Sequence, residues 1–142
     1  TLAVGYSFSF VQDAVGGPLL DLQGSGDAAL ARLAEMTPAQ KSAHFWGTLI
    51  NDTAYPLAYG GLFAGLIWRF AGALRGWFVL PPLAVIIVDL AENAVQAAAL
   101  SGYGALLGFK DFLTPAKFGL FALAALLVLA SFALALARRL RQ

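Results

Sequence analysis

Residues Phe118 to Ala137 read FGLFALAALLVLASFALALA, twenty consecutive uncharged residues dominated by Leu and Ala, with Arg138, Arg139 and Arg141 directly after them. A helix that crosses the hydrocarbon core of a bilayer needs about 20 mostly apolar residues, so this stretch predicts a membrane span. Thr114-Pro115 supplies an N-cap followed by a proline suited to the first turn, which predicts where that helix begins.

Upstream, a second stretch of similar length runs over about 81–101. Pro81 and Pro82 suit its start, and Gly102 with Gly104 suit its end. A third covers about 51–70, with Pro56 placed to kink it. Trp46 and Trp68 lie 22 positions apart, about 33 Å along a helix, the spacing of aromatic anchors at the two faces of a bilayer. The first span is read over about 2–20; it holds Ser7, Ser9, Gln12 and Asp13 and meets the breaker Gly16-Gly17-Pro18. Thr1 to Val11 lack the positive n-region of a signal peptide, so the segment is read as a span.

The sizeable polar stretch, about 21–50, is expected outside the cytoplasm. Within it Asp27 to Met36 places Ala29, Leu30, Leu33 and Met36 on one helical face. Thr37-Pro38-Ala39-Gln40 has the form of a capping box that opens a new helix. A short interfacial helix, then a long helix running into the second span, is the expected arrangement. The predicted fold class is all-α: a polytopic membrane protein, a four-helix transmembrane bundle with one short extracytoplasmic interfacial helix, as a single domain over 1–142.

Composition agrees. Hydrophobic residues make up 60% of the chain and charged residues 12%, against roughly 45–50% and about 25% in soluble domains. Too few polar groups remain to cover a surface, so membrane lipids are the expected partners of much of it. A net charge of +1 argues against nucleic acid as a partner. The chain has no cysteine and one histidine, His44, which argues against thiolate metal sites, thiol catalysis and bis-histidine haem. No cofactor and no metal are expected. There is no Gly-rich phosphate loop, HExxH or GxSxG, so no catalytic residue is assigned.

Orientation follows from Lys and Arg in the short loops. Arg69 and Arg75 lie between the second and third spans, and Arg138, Arg139 and Arg141 follow the fourth. Arg32, Lys41, Lys110 and Lys117 on the other side are interspersed with Asp21, Asp27, Glu35 and Asp111. Both termini are therefore expected in the cytoplasm of a bacterium, with the protein in its inner membrane.

The residues able to carry chemistry interrupt the third span. Asp89, Glu92, Asn93 and Gln96 have spacings of three, four and seven, which places all four on one helical face. A charged side chain at mid-span costs roughly 2.5–3.5 kcal/mol on insertion scales, so two carboxylates there need burial, protonation or a cation. Asp52, Tyr55 and Tyr59 share a face of the second span by the same logic. Lys117, expected near N3 of the fourth helix, is the one basic residue anticipated beside them; the helix dipole disfavours it there, and a carboxylate would offset that. The expectation is that Glu92 or Asp89 pairs with Lys117 and that Asp52, Tyr55 and Tyr59 complete a hydrogen-bonded cluster. The plainer alternative is that these groups only join helices, as Asn93 and Gln96 suit well, at about 0.6 kcal/mol per hydrogen bond. Gly61 and Gly65 form a small-xxx-small pair that would let helices approach.

Three features give the chain a resemblance to uncharacterised small bacterial four-span inner-membrane proteins. Asp89-Leu90-Ala91-Glu92-Asn93 is similar to the D-x-x-E-N signature of their third span. Lys117-Phe118 is similar to the K-F pair that opens their fourth. Asp52 follows an extracytoplasmic segment resembling Leu22-Gln23-Gly24-Ser25-Gly26-Asp27. Gly16-Gly17-Pro18 departs from the pattern. The resemblance implies a four-helix bundle and assigns no activity, cofactor or substrate.

For function, the leading expectation is a non-enzymatic accessory or assembly subunit of a larger membrane complex, or a homo-oligomer. The alternative is transport or ligand binding, with the Asp/Glu/Lys cluster serving a proton, an ion or a lipid headgroup. A third reading is lipid modification with Glu92 as base.

Overall fold

The computed structural model describes residues 11–141, and among these the chain is helical throughout its regular structure, without a strand. The first span as expected over 2–20 lies in part outside the described residues. The part that is described turns helical only over 11–15. Gly16 and Gly17 then take φ of 70° and 144°, a conformation open to glycine and costly for other residues, so the helix ends there and not at Leu20. Leu20–Leu22 forms a single 3₁₀ turn.

Helix α1 (Gly26–Glu35) starts on Ser25, whose side chain accepts the Ala28 N–H. Helix α2 (Pro38–Gly47) starts on the capping box: Thr37 accepts from the Gln40 N–H and the Gln40 side chain accepts from the Thr37 N–H. The helical path continues from α2 through a π-helical turn, Thr48–Asp52, into α3 (Thr53–Phe70). Pro56 explains the π turn. It offers no N–H to the Asp52 carbonyl, and its ring crowds that carbonyl, so the backbone widens just upstream. Asn93 repairs the loss: its Nδ2 donates to the Asp52 carbonyl at 2.7 Å.

A short turn, Arg75–Phe78, leads to α4 (Leu80–Leu100), with prolines in its first turn and Gly102 (φ 111°) beyond its end. The last helix, α5 (Lys110–Arg139), corrects the sequence reading. It begins at Lys110, not at Thr114-Pro115, and Pro115 lies inside it. The capping signal is overridden because Lys110 and Thr114 are both drawn onto a buried carboxylate of α4, which requires them to be helical. Helix α5 packs mainly on α4, and α4 on α3.

Two apolar clusters bracket a polar layer. One joins Val15, Leu19, Leu20, Ala29, Leu33, Met36, Ala99 and Leu107; the other joins Ile67, Ala71 and Val128 with Phe63, Phe78 and Leu127 beside them. Along α4 and α5 the buried ionisable residues Asp89, Glu92, Lys110 and Lys117 fall between these two clusters.

Gly60, and not the expected pair Gly61 and Gly65, marks the close approach of α3 and α4. A Cβ at Gly60 would collide with the Ile86 side chain and lie 3.2 Å from the Pro82 carbonyl, whereas at Gly61 or Gly65 it would meet nothing. Gly60→Ala is therefore expected to destabilise by about 1–3 kcal/mol through overpacking. Gly61→Ala should be neutral or slightly stabilising through helix propensity. Thermal unfolding of the two variants in detergent would show the difference, and equal behaviour would refute this helix contact.

Among the described residues two helical stretches, Gly72–Leu100 and Gly104–Arg139, are long and apolar enough to cross a membrane, with mean hydropathies of 1.8 and 2.7 in their most apolar windows. Only 28% and 17% of their apolar windows are buried within the chain. Along α5, Phe118, Leu123, Leu126, Leu129, Phe132 and Leu136 are all exposed. An apolar face of this extent needs a cover other than water.

Candidate functional site: a buried acid and lysine layer beside a cavity

The layer is organised around Glu92, which is fully buried. Its Oε1 accepts from Thr114 Oγ1 at 2.6 Å and pairs with Lys110 Nζ. Its Oε2 lies 2.6 Å from Lys117 Nζ, an ion pair off the hydrogen-bonding direction. Lys110 is likewise sealed from solvent. Helical spacing makes this possible: Lys110, Thr114 and Lys117 are four and three residues apart, so one face of α5 presents all three to α4.

Lys117 is a second centre. Its Nζ lies 2.7 Å from Asp21, 2.6 Å from Glu92 and 3.5 Å from Asp89. Oxygens of these three acids lie within 4.8 Å of one another, a spacing that suits a cation, and the ammonium of Lys117 occupies that place. Asp89 also accepts the Tyr59 hydroxyl at 2.8 Å. Lys117 is thus two turns inside α5, not near N3 as expected, and Lys110 joins it as a second buried cation. Its three acid contacts come from α4 and from the 3₁₀ turn Leu20–Leu22.

Asp21 reaches the layer because its turn is tied down from three sides. Arg32 donates to the carbonyls of Val15 and Pro18, each at 3.2 Å. His44 Nε2 accepts the Leu20 N–H at 2.8 Å. Gln96 Nε2 reaches Asp21 Oδ1 at 3.4 Å. Asp111 accepts the Gly26 N–H at 2.8 Å, which satisfies an otherwise unpaired donor at the start of α1 and fixes it against α5.

Of the residues expected from sequence, Tyr59, Asp89, Glu92 and Lys117 come together directly, and Gln96 joins through Asp21. Tyr55 stands beside Tyr59, ring centres 5.3 Å apart. Asn93 and Asp52 meet through the Asp52 carbonyl, while the buried Oδ1 of Asp52 has no hydrogen-bond partner. Sequence reasoning missed Asp21, Lys110, Thr114 and His44. The spacing of Lys110, Thr114 and Lys117 held a usable signal; Asp21 and His44 had none, since their contacts depend on how the segment before α1 folds back.

His44 is fully buried at the base of this arrangement. With Nε2 accepting from a backbone N–H, the ring is neutral with its proton on Nδ1, 3.1 Å from Thr48 Oγ1. Burial holds its pKa below the usual 6.5. A proton is therefore bound more readily in the unfolded chain. His44's contribution is complete above about pH 6.5 and is lost as pH falls through the depressed folded value. Wild-type thermal stability should thus decline on acidification below that point, with a shallower decline in His44→Ala. That variant should also be about 1–3 kcal/mol less stable at neutral pH, since it strands the Leu20 N–H. Parallel pH profiles for the two proteins would exclude the role.

A cavity of about 290 Å³ opens onto the layer, lined by Asp21, Leu22, Tyr55, Tyr59, Asp89, Lys117, Phe118 and Phe121. One end is charged, and the rest is aromatic and aliphatic carbon apart from the hydroxyls of Tyr55 and Tyr59. Formally the layer holds three carboxylates, Asp21, Asp89 and Glu92, against two ammonium groups, Lys110 and Lys117. One negative charge is left over beside the cavity, before Asp52 is added. No protein-family model, curated protein or solved structure matches this chain.

Proposed function

We propose that the chain is a multi-pass protein of a bacterial inner membrane, a four-helix transmembrane bundle with both termini cytoplasmic. In this reading its acid and lysine layer binds a small ligand drawn from the adjoining cavity, in transport or in ligand carriage. Membrane residence is supported by the two long apolar helices and by the uncovered apolar side chains of α5. Orientation is supported by the arginines at one end of the bundle: Arg138 bonds the Phe70 carbonyl and Arg75 lies 4.6 Å over the Trp68 ring. The likeness to small bacterial four-span proteins belongs to the same proposal and rests on Asp89, Glu92, Asn93, Lys117 and Phe118.

The observation that carries the ligand reading is the cavity ending on Asp21, Asp89 and Lys117. Polar groups that only join helices are best sealed by packing, because an open polar contact gives up the low dielectric that strengthens it. A purely accessory role, the leading expectation from sequence, gives neither the cavity nor the surplus acid a purpose.

Native mass spectrometry of protein extracted from its own membranes tests this reading. A stoichiometric small-molecule adduct, lost in Asp89→Asn, is the expected result. A protein free of adduct but bound one-to-one to a second polypeptide would transfer the case to the accessory role.

A further inference from the structure

We propose that the cavity accepts a lipophilic organic cation, a substituted ammonium attached to an apolar body, and that this cation competes with a proton for the layer's surplus negative charge. The inference rests on the ligand reading above and adds the sign and shape of the ligand.

The sign comes from what the walls have left to offer. Lys117 is the positive group on the lining, and it is already committed to Asp21, Asp89 and Glu92 at 2.6–3.5 Å. An anion would have to draw that ammonium away from three acids. A cation instead meets Asp21 and Asp89, the two carboxylates on the cavity wall, and offsets surplus negative charge in the layer. Lys110 and Glu92 lie behind them, sealed and paired.

The shape comes from the rings. Tyr55, Tyr59, Phe118 and Phe121 supply the aromatic wall, with Tyr59 and Phe121 at near right angles, centroids 5.1 Å apart. Ring faces attract ammonium groups, most strongly where water is excluded. An alkylated ammonium asks for little more: it is weakly hydrated and needs no array of oxygen ligands. A bare metal ion would need such an array, and the point where the three acids converge is occupied by Lys117 Nζ. Phe118 and Leu22 are largely exposed at the rim, so an apolar body can extend outward along them.

The charge balance couples binding to protons. Asp21 from the turn, Asp89 and Glu92 from α4, Tyr55 and Tyr59 from α3, and Lys110 and Lys117 from α5 are the titratable groups at the site, with the buried Asp52 of the π turn and His44 of α2 close behind them. Because acids outnumber the two lysines, a proton taken up by the unliganded layer offsets surplus negative charge, and the incoming ammonium releases a proton to solvent. Affinity for the cation therefore rises with pH, up to tenfold per unit over the range in which the proton is held.

Three probes of similar size separate the outcomes on the purified full chain, read by calorimetric titration: benzyltrimethylammonium, its uncharged carbon isostere neopentylbenzene, and benzylphosphonate. The expected result is that the cation binds at least tenfold more tightly than the other two and more tightly at higher pH. Asp89→Asn, which keeps an acceptor for Tyr59, should reduce cation binding at least tenfold and leave neopentylbenzene unaffected. Phe121→Leu, which keeps the volume apolar but removes a ring, should weaken the cation more than the neutral isostere. Equal binding of the cation and neopentylbenzene, or a preference for benzylphosphonate, would overturn the cation while leaving a ligand cavity in place. Cation binding independent of pH would overturn the competition with a proton. If none of the three binds, both the cation and the ligand reading fall.

Discussion

Glu92→Gln is expected to lower the unfolding free energy of the detergent-solubilised protein by about 3–5 kcal/mol, the usual cost of removing one partner from a buried ion pair. Glu92 holds Lys110, Thr114 and Lys117 together in a site it shares with no solvent. Lys117 retains Asp21 and Asp89 when Glu92 is neutralised, so the loss falls chiefly on Lys110, a sealed ammonium whose carboxylate is gone. The same argument predicts a rescue. Replacing both partners, as in Glu92→Leu with Lys110→Met, removes one charge of each sign and leaves the layer's surplus of one acid unchanged. Buried pairs exchanged for packed apolar groups are often neutral in stability. The double variant should therefore recover most of what either single change loses, a coupling that a double-mutant cycle measures directly. Full stability of Glu92→Gln alone would remove Glu92 from the centre of the fold.

What the sequence revealed and what it hid follow a physical division. From α1 onward the helices were legible because their signals are local, whereas the first span, read to Leu20, stops at Gly16 and Gly17. Thr37 and Gln40 three residues apart can serve the same two backbone groups whatever else is nearby, and the capping box forms as read. Leu80–Leu100 begins at its prolines and ends before Gly102 because both effects act within one turn. The common face of Asp89, Glu92, Asn93 and Gln96 was legible for the same reason, since helical spacing alone fixes it, and all four are buried.

The failures occur where tertiary contacts overrule a local signal. Thr114-Pro115 is a sound helix start by itself, yet α5 begins a turn earlier because Lys110 and Thr114 both gain a buried partner in Glu92. Thr114 spends its hydroxyl on that carboxylate and not on a backbone cap. Gly61 and Gly65 have the favoured spacing for helix contact, but the rotation of α3, set by Tyr59 reaching Asp89, turns Gly60 inward instead. Asp21 was invisible as a site residue because no periodicity links it to α4. Its place depends on Arg32, His44 and two positive-φ glycines acting together on one turn.

Lys117→Ala should convert the site from one that excludes a divalent cation into one that binds it. The substitution removes an ammonium lying within 3.5 Å of three carboxylates. The first consequence is a loss of about 2–4 kcal/mol, less than a fully sealed pair would cost, because Asp21 keeps 27% of its side chain exposed and is partly screened by water. The second follows from spacing. Calcium binds carboxylate oxygens at about 2.3–2.6 Å, so one ion can bridge oxygens separated by up to about twice that distance. The relevant oxygens of Asp21, Asp89 and Glu92 lie within 4.8 Å of one another, and removal of Nζ leaves room among them. Calcium should therefore raise the melting temperature of Lys117→Ala in a saturable way, restoring about 2.7 kcal/mol at a hundredfold excess over its dissociation constant. The wild-type protein should show no such response, since its own lysine holds the position. Asp89→Asn added to Lys117→Ala should abolish the rescue by removing one ligand charge. An identical calcium response in wild type and variant, or none in either, would mean that the three acids do not converge on Lys117 in the folded protein.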